Sequence, residues 1–337
     1  GRKGETAIAH ELFHQWLGDL VTPESWSNLA LKESFATYAE YLWLEYKYGR
    51  DAADSHHFLS KLKYFDEPEK NKVKIIRDQS VKKEEMFDVV SYNKGAQVLH
   101  MLRKYLGDDF FLNSLKVYLK KYQFKNANIN DLLLVFEEVS GEDLDWFFNE
   151  WWLASGIPVL EVSKEYNQES QTLKLNIKQK QDLSVMPLYT LPIDIDLYYK
   201  EQKERKRIII NKSEQEFTFN VSGEPQLVNF DAERQLLCKT TYSKTVEEYI
   251  YQYKNAPLFS DRKEALFNLK DKLADSLIFE TMLSAAKKDN WWEIRIMAIR
   301  FLEQSLNFKK DEFKSFFANI ALTDSNTNVA STALYYL

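Results

Sequence analysis

The chain has five histidines, and two of them stand four residues apart in His10-Glu11-Leu12-Phe13-His14. On an α-helix, positions four apart differ by only about 40° in azimuth and lie one turn from each other. The two imidazoles can therefore converge on one metal ion. Glu11 falls about 60° round from His14, at the edge of the same face. From there a carboxylate can reach a water held at the metal without being a ligand. Catalytic zinc takes three protein ligands and keeps a fourth position open. The third ligand must come from another element, and Glu33 is the best candidate. Eighteen residues separate it from His14, and a turn between Gly18 and Pro23 lets its helix fold back on the first. Thr37 follows one turn later. Its hydroxyl either hydrogen-bonds a ligand from outside or bonds back to its own helix.

These residues need helices to hold them, and apolar spacing of three and four predicts helices over 7–17, 29–48, 52–62, 92–106, 109–122, 129–139 and 144–154. A polar, lysine-rich loop is expected over 63–85. Asn128 and Asp143 are the N-cap candidates for the last two helices. His56 and His57 are adjacent, so their side chains diverge on a helix and read as solvated. His100 reads as a packed side chain.

Gly156-Ile157-Pro158 breaks the helical pattern, and alternation begins at Val159. Segments 172–178, 191–199, 207–210, 216–221 and 227–230 read as short strands at hairpin spacing, hence an antiparallel β-sandwich-like domain. Beyond about Lys244 the pattern is helical again and repeats. Ala265, Ala298 and Ala333 recur at one helical position, 33 and 35 residues apart. That spacing predicts stacked helix pairs, loosely like HEAT repeats. The expected organisation is multidomain and mainly α: a helical zinc-binding part over 1–157, an antiparallel β domain over 158–243, and a helical repeat over 244–337 that the sequence leaves truncated.

Composition agrees with this layout. Glycine and proline number 9 and 7, far below the roughly 12% of residues usual for the pair. Eight of the nine glycines lie at or before Gly156, so the two halves are built differently. The net charge of −6 lacks the basic excess of a nucleic-acid binder. A single cysteine, Cys238, excludes an internal disulfide framework and a multi-cysteine metal site. It reads as a core residue. No apolar run is long enough for a membrane span.

Three stretches carry a family resemblance. Ala9-His-Glu-Leu-Phe-His-Gln-Trp-Leu-Gly-Asp-Leu-Val-Thr22 resembles the zinc-helix signature of the gluzincin aminopeptidases, the family of aminopeptidase N. Trp26-Ser-Asn-Leu-Ala-Leu-Lys-Glu-Ser-Phe-Ala-Thr-Tyr38 resembles the second signature, and Met86-Phe-Asp-Val-Val-Ser-Tyr-Asn-Lys-Gly-Ala96 the third. The resemblance implies a thermolysin-like helical half-domain and one zinc per chain, held by His10, His14 and Glu33. It implies that Glu11 takes a proton from the attacking water and hands it to the leaving amine. Tyr92, at the family's tyrosine position, would donate a hydrogen bond to the developing oxyanion. The implied substrates are peptides with a free N-terminus.

Two positions depart from the family pattern. Lys32 and Ser34 flank Glu33 where the family usually has Asn and Gly. Neither is a ligand position, but Ser34 places a side chain where the family leaves space. The family's motif for the substrate α-ammonium group lies upstream of the zinc helix, and only nine residues precede His10 here. The chain therefore reads as a C-terminal portion of a longer enzyme. A catalytically silent zinc-binding fragment and a non-enzymatic platform built on the helical repeat are the alternatives.

Overall fold

The structure is a computed structural model that describes residues 4–78, 81–200, 202–304 and 310–337. Part of the 63–85 loop, the first three residues of the expected 1–157 domain and short internal stretches of the other two thus lie outside the described residues. The chain divides into two compact units, 1–243 and 244–337.

The first unit begins with α1 (Glu5–Phe13), followed by β1 (Val21–Pro23), α2 (Ala30–Tyr48) and α3 (Arg50–Phe65). A π-helical turn at Val90–Lys94 runs directly into α4 (Gly95–Leu106). Then come α5 (Asp108–Tyr122), β2 (Lys125–Ala127), α6 (Ile129–Ser140) and α7 (Asp145–Trp151). The helix expected over 7–17 stops at Phe13, because the backbone turns sharply toward Gly18. Gly18 has φ +139°, and a Cβ there would lie 2.9 Å from the His14 carbonyl oxygen. That conformation excludes side chains. The turn pairs β1 with β2 in a short parallel ladder, Val21 opposite Lys125. Asn128 caps α6 as expected, in a reciprocal capping box with Asp131. Asp143 does not cap α7; the cap position is Leu144, and Asp143 instead accepts from the Asp145 amide.

From Val159 the alternating sequence forms strands. They are β3 (Val159–Asn167), β4 (Thr172–Gln179), β5 (Leu191–Tyr198), β6 (Lys203–Ile210), β7 (Glu214–Asn220), β8 (Leu227–Asn229) and β9 (Lys239–Tyr242). They make a four-stranded sheet in the order β7-β4-β3-β9 and a three-stranded sheet in the order β6-β5-β8. The hairpins are antiparallel, with Leu160 opposite Gln179 and Leu191 opposite Ile210. One pairing differs from the antiparallel expectation: β9 runs parallel to β3. The chain reaches β9 from β8, which belongs to the other sheet, so no hairpin turn dictates its direction. Leu175, Ile177, Ile193 and Ile195 from the strands share one apolar core with Phe35, Leu99 and Phe136 from the helices. Cys238 is buried in that core as a free thiol.

The second unit contains, among the described residues, α8 (Val246–Asn255), α9 (Phe259–Leu269), α10 (Ser276–Lys288), α11 (Trp292–Glu303), α12 (Lys310–Thr323) and α13 (Thr327–Tyr335). They pack as consecutive pairs, and α11 also touches α9 and α13. Ala265, Ala298 and Ala333 are fully buried on α9, α11 and α13. A methyl side chain at each of these positions permits close helix approach. No helix among the described residues is long and apolar enough to cross a membrane.

Candidate active site

α1 packs against α2, and that contact brings the predicted ligands together. The Nε2 atoms of His10 and His14 each lie 3.5 Å from Glu33 Oε2. One ligand atom from each of the three residues lies within 4.8 Å of the others. The two imidazoles meet edge-on, their centroids 5.0 Å apart at 84°. Glu33 is buried and both histidines are largely so. Two imidazole nitrogens and one carboxylate oxygen, pointing at a common centre from two rigid helices, suit the donor preferences of zinc.

Each imidazole has its other nitrogen engaged. His14 Nδ1 donates to the Leu17 carbonyl at 3.1 Å, an acceptor freed because α1 ends at Phe13. His10 Nδ1 lies 3.0 Å from Glu40 Oε1. Glu40 Oε2 in turn lies 2.9 Å from His56 Nε2. Neither Glu40 nor His56 was among the candidate residues. Glu40 is seven residues after Glu33, two turns along the same face of α2, and that periodicity was the available signal. His56 is a partner of this cluster rather than the solvated side chain its sequence context implied.

The charges of the site are mutually adjusted. Burial pushes the Glu33 carboxyl up, but His10, Lys32 and His14 outweigh it and hold it below the ordinary carboxylate range. Burial likewise disfavours the charged form of His10, yet Glu33 and Glu40 raise it to about 9. Lys32, at one of the departures from the family pattern, places its ammonium 3.4 Å from Glu33 Oε1.

Glu11 is exposed on α1, next to His10 in sequence. Tyr92 sits on the π-helical turn, a local widening of the helix often found where a side chain must be aimed. Its ring stacks on His10, with centroids 6.0 Å apart and planes 15° apart. Burial first, then the Glu33 and Glu11 carboxylates, hold the phenol well above its ordinary pKa. It is therefore a neutral O–H donor at neutral pH. The turn is fixed by Asp88, whose Oδ1 accepts from the Val90 and Ser91 amides, both at 3.1 Å. Arg77 clamps that carboxylate at 2.6 Å.

The Thr37 hydroxyl donates to the Glu33 main-chain carbonyl at 2.8 Å, the helix back-bond that the sequence left as one of two readings. Ser34 donates to the Ser91 carbonyl at 2.7 Å, tying α2 to the turn that carries Tyr92. Gly95 makes room for it, since a Cβ at Gly95 would stand 1.8 Å from Ser34 Oγ. His57, expected to be solvated, is buried instead, with its ring centroid 4.6 Å from that of His100. His100 is packed as expected, and its Nδ1 meets the Tyr38 hydroxyl at 3.1 Å.

Comparison with known proteins supplies the family. The peptidase family M1 domain matches residues 2–151, which contain every residue of the cluster. Residues 2–151 belong to peptidase family M1. Aminopeptidase N of Haemonchus contortus is 34% identical to the chain over 249 residues, 66% of this chain and 25% of that protein. Aminopeptidase M1-C of Oryza sativa subsp. japonica is 39% identical over 160 residues, 46% of this chain and 18% of that protein. The chain thus spans about a quarter or less of the length of the curated M1 relatives it matches. A crystal structure of Legionella pneumophila aminopeptidase A, in complex with aspartic acid, shares the fold. Its TM-score is 0.76 at 18% identity, over 98% of this chain and 44% of that one. The M1 assignment and the cluster of His10, His14 and Glu33 fall in the same 150 residues.

Proposed function

We propose that the chain carries the zinc-binding portion of a metallo-aminopeptidase, with residues 1–157 for the chemistry, 158–243 bracing them, and 244–337 forming a HEAT-like helical repeat. The observation that supports this most directly is the convergence of His10, His14 and Glu33 within 4.8 Å. When bound, zinc supplies Lewis acidity that eases deprotonation of water and polarises a carbonyl. His10, His14 and Glu33 would hold it, one ion per chain. Glu11, exposed beside them, takes the proton of the attacking water and delivers it to the leaving amine. Tyr92, kept protonated by burial and by its carboxylate neighbours, donates its O–H to the carbonyl oxygen as negative charge develops there. The names of the relatives support peptides with a free N-terminus as substrates. The equal burial of Ala265, Ala298 and Ala333 supports the repeat reading.

Metal analysis tests the zinc assignment, with about one zinc per chain expected. For the chemistry, aminoacyl-anilide hydrolysis is measured in a protein of the relatives' full length that contains this sequence. Glu11→Ala is expected to abolish turnover and retain zinc. Turnover that survives this change removes Glu11 from the acid–base role. N-blocked peptides cut as fast as free-amine peptides would refute the aminopeptidase reading. Zinc binding without turnover in the full-length protein would instead make this a silent metal-binding part.

A further inference from the structure

Behind the three ligands lies a second array that reaches a third helix. Glu40 on α2 has both carboxylate oxygens occupied by imidazoles: Oε1 by His10 of α1 at 3.0 Å and Oε2 by His56 of α3 at 2.9 Å. We propose that Glu40, braced by His56, is a positioning residue for the metal centre, fixing both the tautomer and the ring orientation of His10. This rests on the zinc reading above.

The argument is one of geometry. A histidine ring can turn about its last torsion, which puts Cδ2 where Nδ1 was and Cε1 where Nε2 was, so that Nε2 no longer faces the ligand centre. A carboxylate at Nδ1 requires a proton there and leaves the Nε2 lone pair free to face the ligand centre. Carboxylates placed in this way also raise the basicity of the ligating nitrogen. His14 is oriented by a main-chain carbonyl, which no substitution removes. His10 depends on a side chain. That side chain is itself held: Glu40 is mostly buried, and His56 prevents its carboxylate from swinging away. One carboxylate therefore transmits the position of α3 to a ligand on α1.

The test uses the 337-residue chain and measures zinc affinity by chelator competition, with the absorption spectrum of the cobalt-substituted protein as a second readout. Glu40→Ala is expected to weaken zinc binding by about 10–100-fold and to alter the cobalt ligand-field bands. Glu40→Gln keeps an acceptor oxygen but loses the charge, so it should fall between Glu40→Ala and the unaltered protein. His56→Ala should weaken binding less than Glu40→Ala. Unaltered zinc affinity and cobalt spectrum in Glu40→Ala, even with a lowered melting temperature, would show a structural ion pair and overturn the proposal. If Glu40→Ala does not fold, Glu40→Gln decides: an affinity within about twofold of the unaltered protein overturns it. Failure of the unaltered chain to bind zinc at all would instead remove the underlying metal reading.

Discussion

The junction of Ser34 with Gly95 gives a prediction that can be worked from distances. Replacing Gly95 by Ala puts a methyl 1.8 Å from Ser34 Oγ and 2.6 Å from Ser34 Cβ. The hydroxyl can rotate away, but only by abandoning its 2.7 Å bond to the Ser91 carbonyl. The Cβ cannot rotate, so α2 and α4 must separate. Overpacking of this kind costs about 1–3 kcal/mol, and the lost hydrogen bond adds about 1 kcal/mol. Gly95→Ala should therefore destabilise the first unit by about 1–3 kcal/mol, once the gain of about 1 kcal/mol in helix propensity is subtracted. Ser34→Gly alone loses the hydrogen bond and some propensity, about 1–2 kcal/mol. Combining the two removes the clash, because the nearest remaining Ser34 atom, its Cα, lies at an ordinary 3.6 Å. The double variant should be no less stable than Ser34→Gly. Urea unfolding followed by tryptophan fluorescence measures all three, since six of the eight tryptophans lie at or before Trp152. A coupling energy below about 0.5 kcal/mol would refute the packing argument.

Two further outcomes follow from the charges. Burial, with lesser contributions from Lys61, His56 and Arg50, lowers His57 to about 3. The folded state keeps it neutral while the unfolded chain binds a proton at about 6.5. Stability is therefore full above about pH 6.5 and is lost as the pH falls toward 3, by about 2 kcal/mol at pH 5 from this residue alone. His57→Leu should flatten that part of the pH–stability profile; an identical slope in the variant removes His57 as its source. Separately, the Lys32 ammonium, 3.4 Å from Glu33 Oε1, would compete with a metal for that carboxylate. Lys32→Asn should tighten zinc binding by about 3–10-fold in chelator competition at low salt, and an unchanged or weaker affinity contradicts this.

The helices and strands were legible because each has a strong local period. Seven helical segments of the first unit and five of its seven described strands from Val159 onward stand in the sequence pattern. The short β9 does not, because a four-residue edge strand has too few alternations to register. The proposed ligands were legible for a related reason: four residues along a helix fixes the relation of His10 to His14 before any tertiary contact forms. Glu40 was hidden by ambiguity. A carboxylate two turns from a ligand can face the same centre or solvent, and the packing of α1 decides which. His57 and His56 were misread together, since adjacency says only that they diverge, not that α4 would cover one and α2 engage the other.

The sequence by itself determined the candidate donors His10, His14 and Glu33, the helices that carry them and the family resemblance of residues 2–151, because these rest on residue type and short spacing. Tertiary structure decided what lies behind the donors. The carbonyl that orients His14 exists only because Gly18 ends the helix early. The carboxylate that orients His10 acts only because α3 brings His56 to its other oxygen. The seat of Tyr92 depends on Ser34 meeting Gly95 sixty-one residues away. Such contacts join residues distant in the chain, and no local period encodes them.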